Sequence, residues 1–120
     1  MSDTPITPDS TIPVAVSTVG TNRYEPFLVE GRPFGEVHWL RTASGGAGVL
    51  YAGLWRHGPA TFDYVFPGDE TFHVLEGRVS IRVGEETVDL GPGDIASFAK
   101  GRPSTWTIHE AMKKFFVISG

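Results

Sequence analysis

The 120-residue chain has no cysteine, which rules out disulfides, zinc–thiolate sites and thiol catalysis. It is also poor in helix formers: Ala and Leu number 8 and 6, against 12 Val, 6 Ile and 11 Thr. β-Branched residues suit pleated strands, whereas Ala and Leu suit helices. No excess of basic charge exists either, since 10 Lys and Arg face 14 Asp and Glu, a net charge of −4. Without a basic field, neither nucleic acid nor an anionic membrane surface is an expected partner. No apolar stretch approaches the ~20 residues that cross a bilayer. No basic segment followed by an apolar run opens the chain, so no signal peptide is expected and a cytoplasmic location is the default.

What the chain does have is turn chemistry. Its 15 Gly and 9 Pro fall between β-branched runs. Together these features predict an all-β sandwich or barrel with one core. Residues 1–13, with Pro5, Pro8 and Pro13 among Ser, Thr and Asp, read as a flexible arm; residues 14–120 read as the folded domain. Val14–Val19 is a candidate short strand, and there is no internal repeat. Further strands are expected at Glu36–Thr42, Val49–Arg56, Thr61–Phe66, Glu70–Glu76, Arg78–Val83, Thr87–Leu90, Ile95–Phe98, Thr105–His109 and Lys113–Ile118. Loops at Ala43–Gly46, His57–Pro59, Pro67–Asp69 and Gly91–Asp94 punctuate them. Glu110–Lys114 is the most helix-like window and is too short to stand alone. The doublets Glu85-Glu86 and Lys113-Lys114 read as solvated tips of hairpins. Asp94 is placed to cap its own turn through backbone amides.

Three phrases draw attention together: Asp69-Glu70 followed by Val74-Leu75-Glu76-Gly77, then Gly91-Pro92-Gly93-Asp94, then Trp106 after Lys100-Gly101-Arg102-Pro103-Ser104. They resemble the two motifs of the cupin superfamily, G-x5-H-x-H-x3,4-E-x6-G and G-x5-P-x-G-x2-H-x3-N, over about Gly53 to Ile118. The most similar group is that of small cupins related to the ethanolamine-utilisation protein and to ureidoglycine aminohydrolase. The resemblance implies a jelly-roll, double-stranded β-helix barrel over about residues 47–120, with a ligand pocket at its mouth. It also implies small nitrogenous or carbonyl-bearing metabolites as ligands.

The departures from the pattern carry chemistry. Aligned on Glu70, the two His positions of the first motif fall on Tyr64 and Phe66, and the His of the second falls on Ser104. Of the three His and one Glu that hold a divalent ion in metal-binding cupins, only Glu70 remains. One carboxylate with a phenol and a hydroxyl is a poor transition-metal site, so no metal and no other cofactor is expected. His38, His57, His73 and His109 are expected in surface or packing roles. Strand parity sends His73 to the face opposite Glu70.

The same parity gathers Glu70, Phe72 and Val74 on one face, Ser104, Trp106 and Ile108 on another, and Tyr64 with Phe66 on a third. The expected pocket is thus lined by Tyr64, Phe66, Phe72, Ser104 and Trp106, with Glu70 as its carboxylate. Glu70 is the candidate catalytic residue, as a general acid or base raised by desolvation. The rival role for Glu70 is structural, tying down a turn or pairing with an Arg such as Arg78 or Arg82. Three functions stay open: a metal-independent hydrolase, lyase or isomerase; a binding or sensing module for a small-molecule ligand; and a structural subunit with a filled barrel. A homodimer is expected, because Tyr24, Phe27, Phe34 and Trp39 put much apolar surface ahead of the motif-bearing barrel.

Overall fold

A computed structural model describes residues 13–42 and 50–120, and the following concerns those residues. They form eight strands and no helix: β1 Glu25–Val29, β2 Arg32–Arg41, β3 Leu50–His57, β4 Ala60–Val65, β5 Asp69–Val83, β6 Glu86–Leu90, β7 Ile95–Phe98 and β8 Pro103–Ser119. All pairings are antiparallel. The chain is all-β with the jelly-roll arrangement that the turn-rich sequence predicts. No helix is long and apolar enough to cross a membrane.

Two strands organise the rest. β5 and β8 run alongside each other for almost their full lengths, from Asp69↔Ser119 to Arg82↔Thr105. The first half of β5 also pairs with β7, and its second half with β6. The first half of β8 also pairs with β4, and its second half with β3, which continues to β2 and β1. Each long strand therefore belongs to both walls of the barrel. The bend lies where the β5–β8 register slips, between Val74 and Val79. Such bulges strengthen twist and let one strand turn from one sheet into another.

Gly77 makes the bend possible. Its φ of +84° lies in the left-handed region, and a Cβ there would sit 2.2 Å from the Ala111 carbonyl oxygen. Only a residue without a side chain meets both demands. This corrects the sequence expectation in two places. Glu70–Glu76 and Arg78–Val83 are one strand, and so are Thr105–His109 and Lys113–Ile118, so nine expected strands become seven, and the unexpected β1 makes eight. Gly77 bends a strand rather than ending it, and Glu110–Lys114 is strand within β8.

Alternation along these strands builds the core. Glu70, Phe72 and Val74 are buried between exposed Thr71 and His73; beyond the bulge, Val79 and Ile81 take over. In β8, Ser104, Trp106 and Ile108 are buried, as are Met112, Lys114, Phe116 and Ile118. Trp106 lies at the centre, with the rings of Trp55, Phe62, Tyr64, Phe66 and Phe72 all within 6.3 Å.

The N-terminal region departs from expectation. Val14–Val19 is not a strand; the first strand is β1, further along. Aromatics from that region pack on this same chain's barrel. Trp39 lies against Phe27, Tyr51 and Phe116, and Phe34 against Phe62. The expected arm at residues 1–13 and loop at Ala43–Gly46 fall outside the described residues, apart from an exposed Pro13.

Substitution Gly77→Ala is expected to destabilise the fold by roughly 2–4 kcal/mol, from backbone strain and the clash with Ala111. Gly84→Ala, at another positive φ but with open space around it, is expected to cost only about 1 kcal/mol. Paired urea titrations measure the difference; equal losses would place no special demand on Gly77.

Candidate functional site

Glu70 and Lys114 are the only charged residues buried among those described, and they meet. Glu70 projects inward from β5 and Lys114 from β8, where Lys114 lies opposite Val74. Val74 and Glu70 are four positions apart on β5, and the lysine and glutamate side chains reach toward each other to meet. Lys114 Nζ donates to Glu70 Oε2 at 2.5 Å. The carboxylate's other oxygen, Oε1, accepts a longer bond from the Tyr64 hydroxyl at 3.4 Å, delivered from β4.

The ammonium sits in a box of aromatic faces. Nζ is 4.4 Å from the Phe72 ring centre, 4.6 Å from Trp106 and 4.9 Å from Trp55. These faces supply cation–π attraction in place of lost water. Even so, burial lowers the Lys114 pKa below its ordinary 10.5, and the Glu70 carboxylate opposes that only in part. Burial also raises the Tyr64 phenol, with the Glu70 charge and hydrogen bond adding to it. Tyr64 is thereby kept as a protonated donor.

Other polar atoms of the predicted site are already committed. Ser104 Oγ donates to the Tyr64 carbonyl at 2.6 Å and accepts from Trp106 Nε1 at 3.0 Å. Turn-tying, one structural role considered for Glu70, belongs to its neighbour: Asp69 Oδ1 accepts the Lys100 amide at 2.8 Å. The Arg alternatives fail as well, since Arg78 bonds Glu110 and Arg82 is exposed. Asp94 caps its turn as expected, with Oδ2 accepting the Gly91 amide at 2.8 Å.

A small cavity lies over the pair. It is lined by Phe27, Phe34, Trp55, Phe62, Tyr64, Glu70, Trp106, Lys114, Phe116 and Ile118, and its free volume is about 20 Å³. Of the residues predicted to line a pocket, Tyr64, Glu70 and Trp106 reach this one. Phe66, Phe72 and Ser104 stand in the wall behind, Phe66 stacked on Phe98 with ring centres 4.7 Å apart.

Lys114 is the residue that sequence reasoning missed. Read with Lys113 as a solvated hairpin tip, it is instead in mid-strand and buried. Its partner in the doublet turns outward to Glu76 and the Val19 carbonyl. Parity held the signal: if Phe116 and Ile118 face in, Lys114 does too.

The donors do not fit the divalent ion that metal-binding cupins hold. Tyr64, Phe66 and Ser104 occupy the three His positions, and the one remaining carboxylate is covered by an ammonium. Among the described residues, no three His, Asp or Glu side chains gather anywhere. His73 is exposed, His57 lies against Trp55 and Phe62, and His38 and His109 bond Ser17 and Ser80.

Comparison with known proteins fits this geometry. Residues 44–116 match the family model described as the EutQ-like cupin domain. Among solved structures, a protein described as ethanolamine utilization protein Q from Salmonella typhimurium is 26% identical, with a TM-score of 0.55 over 58% of this chain and 57% of that one. This chain thus spans little more than half of that protein's length. The EutQ protein of Clostridium difficile is 19% identical, with a TM-score of 0.58 over 77% of this chain and 74% of that one. A cupin superfamily protein from Desulfitobacterium hafniense is 14% identical, with a TM-score of 0.56 over 80% of this chain and 96% of that one. The last two likenesses concern the fold alone. No curated protein matches significantly.

Removing one member of the buried pair is expected to cost far more than removing both. Lys114→Met should destabilise the fold by about 3–5 kcal/mol, because it strands a buried carboxylate. Adding Glu70→Leu should recover most of that loss; failure of the double variant to recover would refute the pairing.

The pH dependence has a definite sign. Between the lowered folded-state pKa of Lys114 and its ordinary 10.5, the unfolded chain binds more protons than the folded one. Stability of the native protein relative to the double variant should therefore rise with pH through that window. Tyr64 acts oppositely above its ordinary 10.0, so urea unfolding is best compared below about pH 10. A flat or falling difference would contradict the burial effect on Lys114.

Proposed function

Because this chain belongs to the EutQ-like cupin family, we propose that its barrel mouth binds a small molecule, with the Lys114–Glu70 pair as polar anchor and no metal. The supporting observation is that the only buried charges among the described residues line the same cavity. A buried ion pair is poor scaffolding, since well-packed apolar residues serve stability as well or better. Its place on a cavity wall favours a role in binding.

The chemistry narrows the ligand. An ammonium has three N–H donors, and Glu70 takes one of them. A carbonyl or carboxylate oxygen entering the cavity would accept a second. The Tyr64 phenol offers a further donor, and Phe27, Phe34 and Phe62 offer apolar faces to a flat or apolar body. The resemblance to ureidoglycine aminohydrolase-type cupins favours small nitrogenous or carbonyl-bearing metabolites. Should the protein turn its ligand over, as a hydrolase, lyase or isomerase, Glu70 is the acid–base group. Lys114 would hold it as carboxylate until a proton is taken.

A second reading, a filled barrel with a structural role, is favoured by the small free volume. About 20 Å³ holds one water molecule, so a larger ligand must part Phe27 and Phe34 from the mouth. We also propose a homodimer in the cytoplasm. Its support is the outer edge of β1, which no strand among the described residues pairs, together with exposed Val14, Val16, Val19 and Leu28, rather than the aromatics, which this barrel covers itself.

A thermal-shift screen of small carbonyl and carboxylate compounds tests the binding reading. A ligand at 100 times its Kd should add roughly 2.7 kcal/mol of stability. Binding should also change tryptophan emission. Trp106→Phe should remove most of that change, while Trp39 and Trp55 remain. If no compound shifts the transition, the filled-barrel reading stands.

Elemental analysis of the untagged protein, dialysed without chelator, should find no stoichiometric transition metal. One equivalent of iron, manganese, nickel or zinc in the barrel would overturn the metal-free site. Sedimentation at micromolar concentration should give a dimer; a 13.0 kDa species would overturn that assignment.

A further inference from the structure

We infer that Lys114 is a covalent nucleophile that forms an imine with a small aldehyde or ketone, Glu70 carrying the proton. The inference rests on the binding reading and deepens it by naming the ligand's reactive group. The primary argument is geometric. Lys114 lines the cavity, its ammonium lies 2.5 Å from a carboxylate oxygen, and aromatic faces surround the ammonium. The ionisable side chains facing the amine are Glu70 on β5 and, through it, Tyr64 on β4; the packed side of β3 offers Trp55. Among the described residues, Glu70 is thus the one place for the lysine's proton to go, and no second buried cation competes for it.

In so dry a site the charged pair and the neutral pair differ by the movement of one proton over a single hydrogen bond. Moving it leaves a neutral amine beside a carboxylic acid. That combination is what imine formation needs. The lowered pKa of Lys114 acts in the same direction.

The steps balance. Glu70 takes a proton from Lys114, and the nitrogen lone pair attacks the carbonyl carbon. The carbonyl oxygen takes the proton from Glu70, giving an alkoxide-free carbinolamine once the nitrogen returns its extra proton to the carboxylate. That proton next goes to the hydroxyl, which leaves as water while the C–N double bond forms. The sum is an ammonium plus a carbonyl giving an iminium plus water, with nothing oxidised or reduced. The displaced water leaves by the path the carbonyl compound entered. The substrate class is a small aldehyde or ketone whose flat or apolar flank rests on those rings.

The test uses the full chain and needs no variant to fold. Formaldehyde, the smallest carbonyl, and benzaldehyde, a flat aromatic one, are each incubated with the protein near neutral pH in the presence of cyanoborohydride. Modified lysines are then mapped by peptide mass spectrometry. Lys114 should be modified at least tenfold faster than exposed Lys100, and the preference should vanish in concentrated urea. Lys114→Arg should abolish the adduct at that position. Labelling of Lys114 no faster than of Lys100, with either probe, would overturn the inference. Benzamide, which resembles benzaldehyde in shape but forms no imine, separates the two readings. If it stabilises the protein while Lys114 resists labelling, binding survives and covalent chemistry falls; if it does not bind and Lys114 resists labelling, both fall.

Discussion

The pairing of β5 with β8 is the constraint on which the rest of the molecule hangs. Both strands serve two sheets, so the barrel exists only because this one pair bends as a unit. The bend needs a residue without a side chain where β5 passes within contact of the Ala111 carbonyl, and Gly77 supplies it. β3, β4, β6 and β7 add to edges that the pair provides, and β2 and β1 extend the sheet from β3. The site inherits its precision from the same source. Glu70 comes from β5 and Lys114 and Trp106 from β8, so the residues that meet in the barrel are fixed by the register of two strands and not by loops.

Electrostatics decides what the site can do. Where metal-binding cupins set a divalent ion against a carboxylate and three imidazoles, this chain sets an ammonium against the corresponding carboxylate. The charge is smaller, is covalently attached and can lose a proton. The surroundings are accordingly aromatic rather than ligating: a cation of this size, stripped of water, is accommodated by ring faces. The phenol of Tyr64 is held protonated beside the carboxylate.

Much of this was legible in the sequence, and the failures have physical causes. Period-two alternation located the inward faces of Glu70, Phe72 and Val74 and of Ser104, Trp106 and Ile108, because a strand's faces are set by local geometry. The Gly91–Asp94 turn was legible for the same reason. The continuity of β5 and β8 was not: glycine after a strand reads as a stop, and only tertiary contact with Ala111 turns it into a bend. Lys114 was hidden by its charge, since a lysine doublet ordinarily points to solvent and nothing local announces a partner 44 residues away. The lining residues Phe27 and Phe34 were hidden by position. They lie in a Pro-containing hairpin ahead of the recognisable barrel, and only packing brings them to its cavity.

The end of β8 has a consequence for how the chain finds its alignment. Phe115, Phe116, Val117 and Ile118 are all apolar, so hydrophobicity alone would let either set of alternate residues face the core. A slip of one residue would bury Phe115 and Val117 at little apolar cost. The lysine doublet leaves the charge equally ambiguous, because the same slip would bring Lys113 inward as it turned Lys114 out. The first half of the strand singles out one alignment, since there the slip would bury Thr105 and Thr107 and turn Trp106 and Ile108 outward. Trp106 is in this sense a keying residue: a large ring with no apolar neighbour on the opposite face, it distinguishes the correct pairing of the last strand from its nearest competitor during folding.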